Sequence, residues 1–341
     1  MEDDDLMVPI RYNDGSFENP FPRFDFPGGG KMCRYFRDRF SSNAPTPTRD
    51  EYDRNLPVIK PQLSKLQNPP EGKLQYMWIG HATVLYQFDG WNVLSDPIWG
   101  ERCSPISFIG PKRYRPPPLT IDELPDIDAV VISHNHYDHL CISSVTALNS
   151  RFGDQLQWFV PEGLGSWMSA RGCRRVTELS WWESASPDDL RGMKRDKLDI
   201  VCTPAQHWSL RSGFDRNKSL WSSWIFKTEK HSVWFSGDTG YCPAFKVIGK
   251  KYGPFDLSAI AIGAYCPRYM MAAQHINPEE AFQIHKDLQS KLSIGIHWGT
   301  FPMGSLEPYM EPKEIIERLQ QEDGGQFPFI TVSHGAIHTQ D

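Results

Sequence analysis

From residue 74 onward, apolar residues fall into short runs rich in Val, Ile, Leu and aromatic side chains, each bounded by turn residues. Such runs predict strands. LQYMWIGHATVLYQF (74–88) and WNVLSD (91–96) read as two strands paired across the Asp89-Gly90 turn. IDAVVIS (127–133), LQWFVP (156–161), LDIVCTP (198–204), SSWIFKT (222–228), SVWFSGD (232–238), LSAIAIGAY (257–265) and LSIGIHWG (292–299) follow as further strands. Between them, 142–152, 162–172, 277–289 and 312–322 carry helical spacing. The third of these opens Asn277-Pro278-Glu279-Glu280, an N-cap, a proline in the first turn and early acids. Strands outnumber helices and the two alternate, which predicts an α/β domain of two mixed sheets with helices outside. No Gly/Ser linker divides the chain, so 46–341 is read as a single domain. Residues 1–45, with NPFPRFDFPGGGKMCRYF at 19–36, lack periodicity and read as a partly irregular extension.

Composition narrows the function classes. The 341 residues carry a net charge of −6, against a general nucleic-acid binder, which shows a basic excess. The best candidate for a local basic patch is GPKRYRP (110–116). Seven scattered cysteines without a C-x-x-C predict a reducing compartment rather than a disulfide framework. The acidic start MEDDDLMVPI has no apolar core of a secretory signal, and no run reaches the roughly 20 residues needed to span a bilayer. Any membrane contact is therefore expected to be peripheral.

The chemistry concentrates at 134–139, His-Asn-His-Tyr-Asp-His, directly after a predicted strand. His207, Asp238 and His297 each end another predicted strand. Strand ends of a sheet share an edge, so these distant groups can converge. Imidazole and carboxylate ligands suit zinc, and catalytic zinc keeps a position open. His134 and His136 alternate by two and can point the same way, so with His207 they are assigned to a first ion. Asp138, His139 and His297 are assigned to a second, and Asp238 has two oxygens with which to bridge both. Two ions about 3.5–4 Å apart can generate hydroxide at neutral pH and clamp a phosphoryl group. No G-x-S-x-G elbow is present, so a protein nucleophile is not indicated. Asp96, in Ser-Asp-Pro, is either an orienting partner of a ligand histidine or a turn former. Arg211 is either a phosphate or headgroup partner or a solvated loop charge. His334 can approach the site from the edge. His81, placed within the first strand, His231 in a hairpin turn, His285 in a helix and His338 at a frayed end are read as structural or peripheral.

The ligand pattern resembles the metallo-β-lactamase superfamily, which implies a four-layer αββα sandwich. GHATVL (80–85), SDPIW (95–99), GPKRYR (110–115), SHNHYDHL (133–140), GDTGYCPAF (237–245), GPFDL (253–257), GAYCPR (263–268), QHINPEEA (274–281) and IHWGTF (296–301) are similar to the N-acyl-phosphatidylethanolamine-hydrolysing phospholipase D family, over roughly 50–340. That resemblance implies a di-zinc phosphodiesterase in which hydroxide generated at the metals attacks phosphorus, releasing N-acylethanolamine and phosphatidic acid. It also implies that Tyr137 and His275 contact the phospholipid, and that the protein is a homodimer. His275 precedes the helix start at Asn277, where the dipole favours an anion, and can protonate the leaving alkoxide. A lipid substrate implies work at the cytosolic face of an internal membrane. The alternatives are a lactonase, thioesterase or nucleotide phosphodiesterase of the same fold, or a non-catalytic lipid-binding scaffold.

Overall fold

The computed structural model describes residues 7–21, 28–41, 47–105, 108–193 and 195–340. A short hairpin, β1 (Ile10–Arg11) and β2 (Phe17–Glu18), precedes three helices, α1 (Gly29–Ser41), α2 (Arg49–Asn55) and α3 (Leu63–Gln67). Next come β3 (Leu74–Gly80), β4 (Thr83–Phe88), β5 (Trp91–Ser95), β6 (Ala129–Val131), α4 (Ile142–Phe152), β7 (Gln157–Pro161), α5 (Gly165–Ser169) and β8 (Val176–Leu179). The second half holds β9 (Ser184–Ala185), β10 (Asp199–Thr203), β11 (Ser223–Lys227), β12 (Ser232–Phe235), α6 (Ala244–Tyr252), β13 (Leu257–Ala261), α7 (Arg268–Met271), α8 (Pro278–Asp287), β14 (Leu292–Ile296), α9 (Glu311–Glu322) and β15 (Phe329–Ile330). A last strand, β16 (Ile337–Gln340), returns to the first half and pairs antiparallel with β3.

Two seven-stranded mixed sheets result, ordered β16-β3-β4-β5-β6-β7-β8 and β15-β14-β13-β12-β11-β10-β9. The period-2 alternation of side chains decides the layers. In the first sheet Tyr76, Trp78, Val84, Tyr86, Val93 and Val131 point one way and pack with Trp224, Phe226, Val233 and Phe235 of the second sheet. Their neighbours Met77, Ile79, Leu85, Leu94, Val130 and Ile132 point the other way, onto Leu66 of α3, Val145 and Leu148 of α4 and Met168 of α5. Ile248 of α6, Ile284 of α8 and Ile316 of α9 join the core on the side of the second sheet. Two sheets face to face with helices outside make the αββα sandwich. Each such side chain, fully buried, contributes about 1.5–3 kcal/mol.

Several elements differ from expectation. The run 74–88 is two strands, broken by a turn at His81-Ala82. Gly80 and His81 both take positive φ, 139° and 54°, and the β3–β4 register shifts there. The helix expected over 162–172 contracts to Gly165–Ser169. His338 is not frayed: it lies in β16 and stacks on Tyr76 at 5.3 Å. Within the aperiodic stretch 19–36, residues 29–36 open the helix α1, while 22–27 lie outside the described residues. Helix α8 starts as expected. Asn277 Oδ1 accepts from the Glu280 amide at 2.9 Å, and Glu280 Oε2 accepts from the Asn277 amide at 3.1 Å.

The basic segment 110–116 forms no free cationic face. Lys112 pairs with Glu101 at 2.7 Å, and Arg115 pairs with Asp53. The Arg113 guanidinium is buried, donating from Nε to Gly100 O at 2.9 Å, with its plane over Phe301.

Candidate metal centre

Strand polarity brings the candidate ligands together. β5, β6 and β7 run parallel in the first sheet. In the second, β12, β13 and β14 run parallel, and β10 shares their direction because β11 lies antiparallel between β10 and β12. The residues just beyond β6, β10, β12 and β14 are 134–139, His207, Asp238 and His297. All seven expected ligands meet at this edge, on the seam between the sheets.

His134 Nε2 lies 2.8 Å from His136 Nδ1, which lies 3.3 Å from His207 Nε2. These three form one potential ligand group. His139 and His297 form a second with Asp138, their Nε2 atoms 3.5 and 3.7 Å from Asp138 Oδ2. Asp238 stands between the groups. Its Oδ2 is 3.1 Å from His139 Nε2 and 3.9 Å from both His134 Nε2 and His207 Nε2, and its Oδ1 is 3.1 Å from His297 Nε2.

The atoms facing this space want a cation. His139 Nε2, His297 Nε2 and Asp238 Oδ1 are all buried without a hydrogen-bond partner. Buried polar atoms are almost always partnered, so so many together fit an ion rather than a packed core. Burial pushes His134, His136 and His207 down, His136 to about 4, which keeps them in the neutral, ligating form. Burial opposes the charges of Asp138 and Asp238, but His139 and His297 outweigh it and hold both below the usual carboxylate range. The donor set therefore fits divalent metal.

Supporting groups fix these rings. Asp96, fully buried just beyond β5, accepts from the Ser133 amide at 2.7 Å and the Ser133 hydroxyl at 2.5 Å, and its Oδ2 lies 2.7 Å from His139 Nδ1. Of the two roles open to Asp96, the orienting one is occupied: it leaves His139 Nε2 for the centre. The Gln274 carbonyl holds His207 Nδ1 at 2.9 Å.

The remaining candidates sit around this core. His275 Nδ1 is 3.9 Å from Asp238 Oδ2, buried and unpartnered, and burial lowers the ring to about 4. Tyr137 donates its hydroxyl to Arg211 O at 3.0 Å. The Arg211 guanidinium lies over the Tyr137 ring at 4.2 Å and near the Trp167 ring at 4.6 Å. Its Nη1 donates to Asn135 O at 2.8 Å, so it is not a solvated loop charge. A cavity of about 450 Å³, lined in part by Arg102, Tyr137, Cys141 and Ile142, adjoins the loop. His334 does not join the ligands: its Nε2 lies 3.1 Å from Thr300 Oγ1 and its ring stacks on Trp78 at 4.1 Å. His231 pairs with Asp89 at 2.9 Å and His285 with Ser293 at 2.7 Å, both away from the cluster.

His81 is the site residue that strand reading missed. Its Nε2 lies 3.0 Å from Asp138 Oδ2, and it groups with Asp138, His139 and His297. Length was the available signal: fifteen residues is long for a strand, and Gly80 marks the break.

Close packing sets the second group. A Cβ on Gly263 would lie 2.2 Å from His297 O, so Gly263→Ala must move the end of β14. Thermal unfolding is expected to show a loss of about 1–3 kcal/mol, the usual range for overpacking.

Comparison with known proteins agrees with this geometry. Residues 91–298 match the beta-lactamase superfamily domain. The solved structure of Igni18, a metallo hydrolase from Ignicoccus hospitalis, superposes with a TM-score of 0.57 at 21% identity, covering 79% of this chain and 99% of that one. Fold and donor set together define a metal-dependent hydrolase of the metallo-β-lactamase superfamily. The chain is 42% identical to N-acyl-phosphatidylethanolamine-hydrolyzing phospholipase D 1 of Caenorhabditis elegans, over 98% of this chain and 95% of that protein. It is 38% identical to the mitochondrial N-acyl-phosphatidylethanolamine-hydrolyzing phospholipase D of Saccharomyces cerevisiae, over 72% of this chain and 52% of that protein. The chain belongs to the N-acyl-phosphatidylethanolamine-hydrolysing phospholipase D family.

Proposed function

We propose that the protein is a zinc-dependent phosphodiesterase that hydrolyses N-acyl-phosphatidylethanolamine to N-acylethanolamine and phosphatidic acid. The observation that carries this is the convergence of seven imidazole and carboxylate ligands, with His139 Nε2, His297 Nε2 and Asp238 Oδ1 buried and unpartnered among them, in a chain of this family. His134, His136 and His207 would hold one ion, Asp138, His139 and His297 the other, and Asp238 both. Such a pair, when bound, supplies a nucleophile from water at neutral pH and neutralises phosphate charge. Asp96 keeps His139 in the ligating tautomer. His275, held neutral by burial, enters as an imidazole that hydrogen-bonds the phosphate or the leaving oxygen. Tyr137 and Arg211 form a stiff stacked wall beside the cavity and orient the headgroup. The enzyme would work as a peripheral protein, on the cytosolic face of an internal membrane, and as a homodimer. Among the described residues, no helix is long and apolar enough to cross a membrane.

The test is incubation of purified protein with N-acyl-phosphatidylethanolamine in mixed micelles, with mass spectrometry of both products. Equimolar N-acylethanolamine and phosphatidic acid are expected. Turnover of lactone, thioester or cyclic nucleotide with no N-acylethanolamine would replace this function with another of the same fold.

A further inference from the structure

We infer that His81 is a positioning residue for the second ion, holding the Asp138 carboxylate through a hydrogen bond from Nε2. This rests on the two-ion centre proposed above and adds a residue that none of the seven ligands includes.

The geometry separates His81 from the ligands. In the second group, His139 and His297 leave Nε2 buried and unpartnered, whereas His81 Nε2 is engaged with Asp138 Oδ2 at 3.0 Å. A carboxylate oxygen has more than one lone pair, so Oδ2 can accept from His81 and still face His139 and His297. The backbone around His81 is fixed from three sides. Its amide donates to Thr300 Oγ1 at 2.7 Å. Its carbonyl accepts from the Trp78 indole at 2.9 Å and from the His297 amide at 2.9 Å. The β3–β4 turn is thus tied directly to the residue that ends β14, and one side chain connects that turn to the 134–139 loop. Asp138 would otherwise be the least restrained of its group, its side chain 20% exposed while those of His139 and His297 are 0% exposed.

A purely structural ring would look different. His81 is fully buried, its Nδ1 has no partner, and its surroundings are the rings of His297, His139 and Phe301. Phenylalanine would fill this space without a stranded nitrogen. Its left-handed backbone, φ 54°, further disfavours an ordinary side chain. What histidine supplies and phenylalanine does not is the N–H at the ε position.

Reach provides the test. Gln places an amide nitrogen as many bonds from Cβ as His Nε2, whereas Asn stops short but tolerates positive φ and so preserves the turn. Metal-free full-length protein is titrated with zinc alone against a chromophoric chelator, alongside His81→Asn and His81→Gln. The wild type is expected to bind two equivalents. His81→Asn should weaken one equivalent by about 10–100-fold and leave the other unchanged, the size of effect seen when an outer partner of a ligand is lost. His81→Gln should restore most of that affinity. Equal, unchanged affinities in His81→Asn would overturn the inference, as would a loss that Gln does not rescue. Two intact zinc sites without lipid turnover would instead count against the proposed substrate and leave His81 in its role. A wild type that binds no zinc would remove the basis of both.

Discussion

Asp238→Asn is expected to abolish practical turnover while the fold survives. The substitution removes one negative charge from a carboxylate that contacts both ligand groups, so it weakens both ions at once. Metal assistance stabilises a transition state by several kcal/mol, and each 1.36 kcal/mol is tenfold in rate. The expected loss is therefore on the order of 10³-fold or more in kcat. Far-ultraviolet circular dichroism should stay close to wild type, because Asn fills the same volume, while the unfolding midpoint should move toward that of metal-free protein. Near-normal turnover in a folded Asp238→Asn variant would contradict the bridging role.

The second large effect is on stability. Metal-free protein, prepared by dialysis against a chelator, should be inactive and should unfold at a lower temperature. A ligand that binds only the folded state and is present at 1,000 times its Kd contributes about 4 kcal/mol. At roughly 2–4 °C per kcal/mol for a domain of a few hundred residues, the midpoint should fall by on the order of 10 °C. Adding back zinc should restore both the midpoint and turnover, and magnesium should not, because magnesium prefers oxygen ligands and octahedral geometry. A chelated protein with unchanged midpoint and full activity would show that the cluster is not a metal site.

The convergence of the candidate ligands was legible because they follow strongly patterned strands, and parallel strands deliver their ends to one edge. Asp96 could be named for the same reason, although only the structure distinguishes its contact with His139 from a turn role. His81 was hidden by its own context: five apolar or aromatic residues on either side made 74–88 look continuous, and the break depends on backbone angles that a hydrophobic pattern does not encode. Arg211 was open for a related reason. It is enclosed by the Tyr137 ring and by Trp167 of α5, which is distant in sequence. Helix α1 was missed because GGKMCRYFRDRFS has two leading glycines, and its long basic residues mask the spacing of Met32, Tyr35 and Phe36. Helix formers on an exposed surface leave little periodic signal.

The return of β16 to the first sheet has a consequence for how the molecule is made. A nascent chain folds from its N-terminal side as it emerges. Strands β3 to β8 are synthesised early, yet the partner of β3 on its outer side is residues 337–340, which emerge after strands β4 to β15. Until then the first sheet presents an open edge beside the turn that carries His81. Open edges recruit other strands. Completion of that edge, and with it protection from misassembly, is therefore deferred until residues 337–340 have been translated.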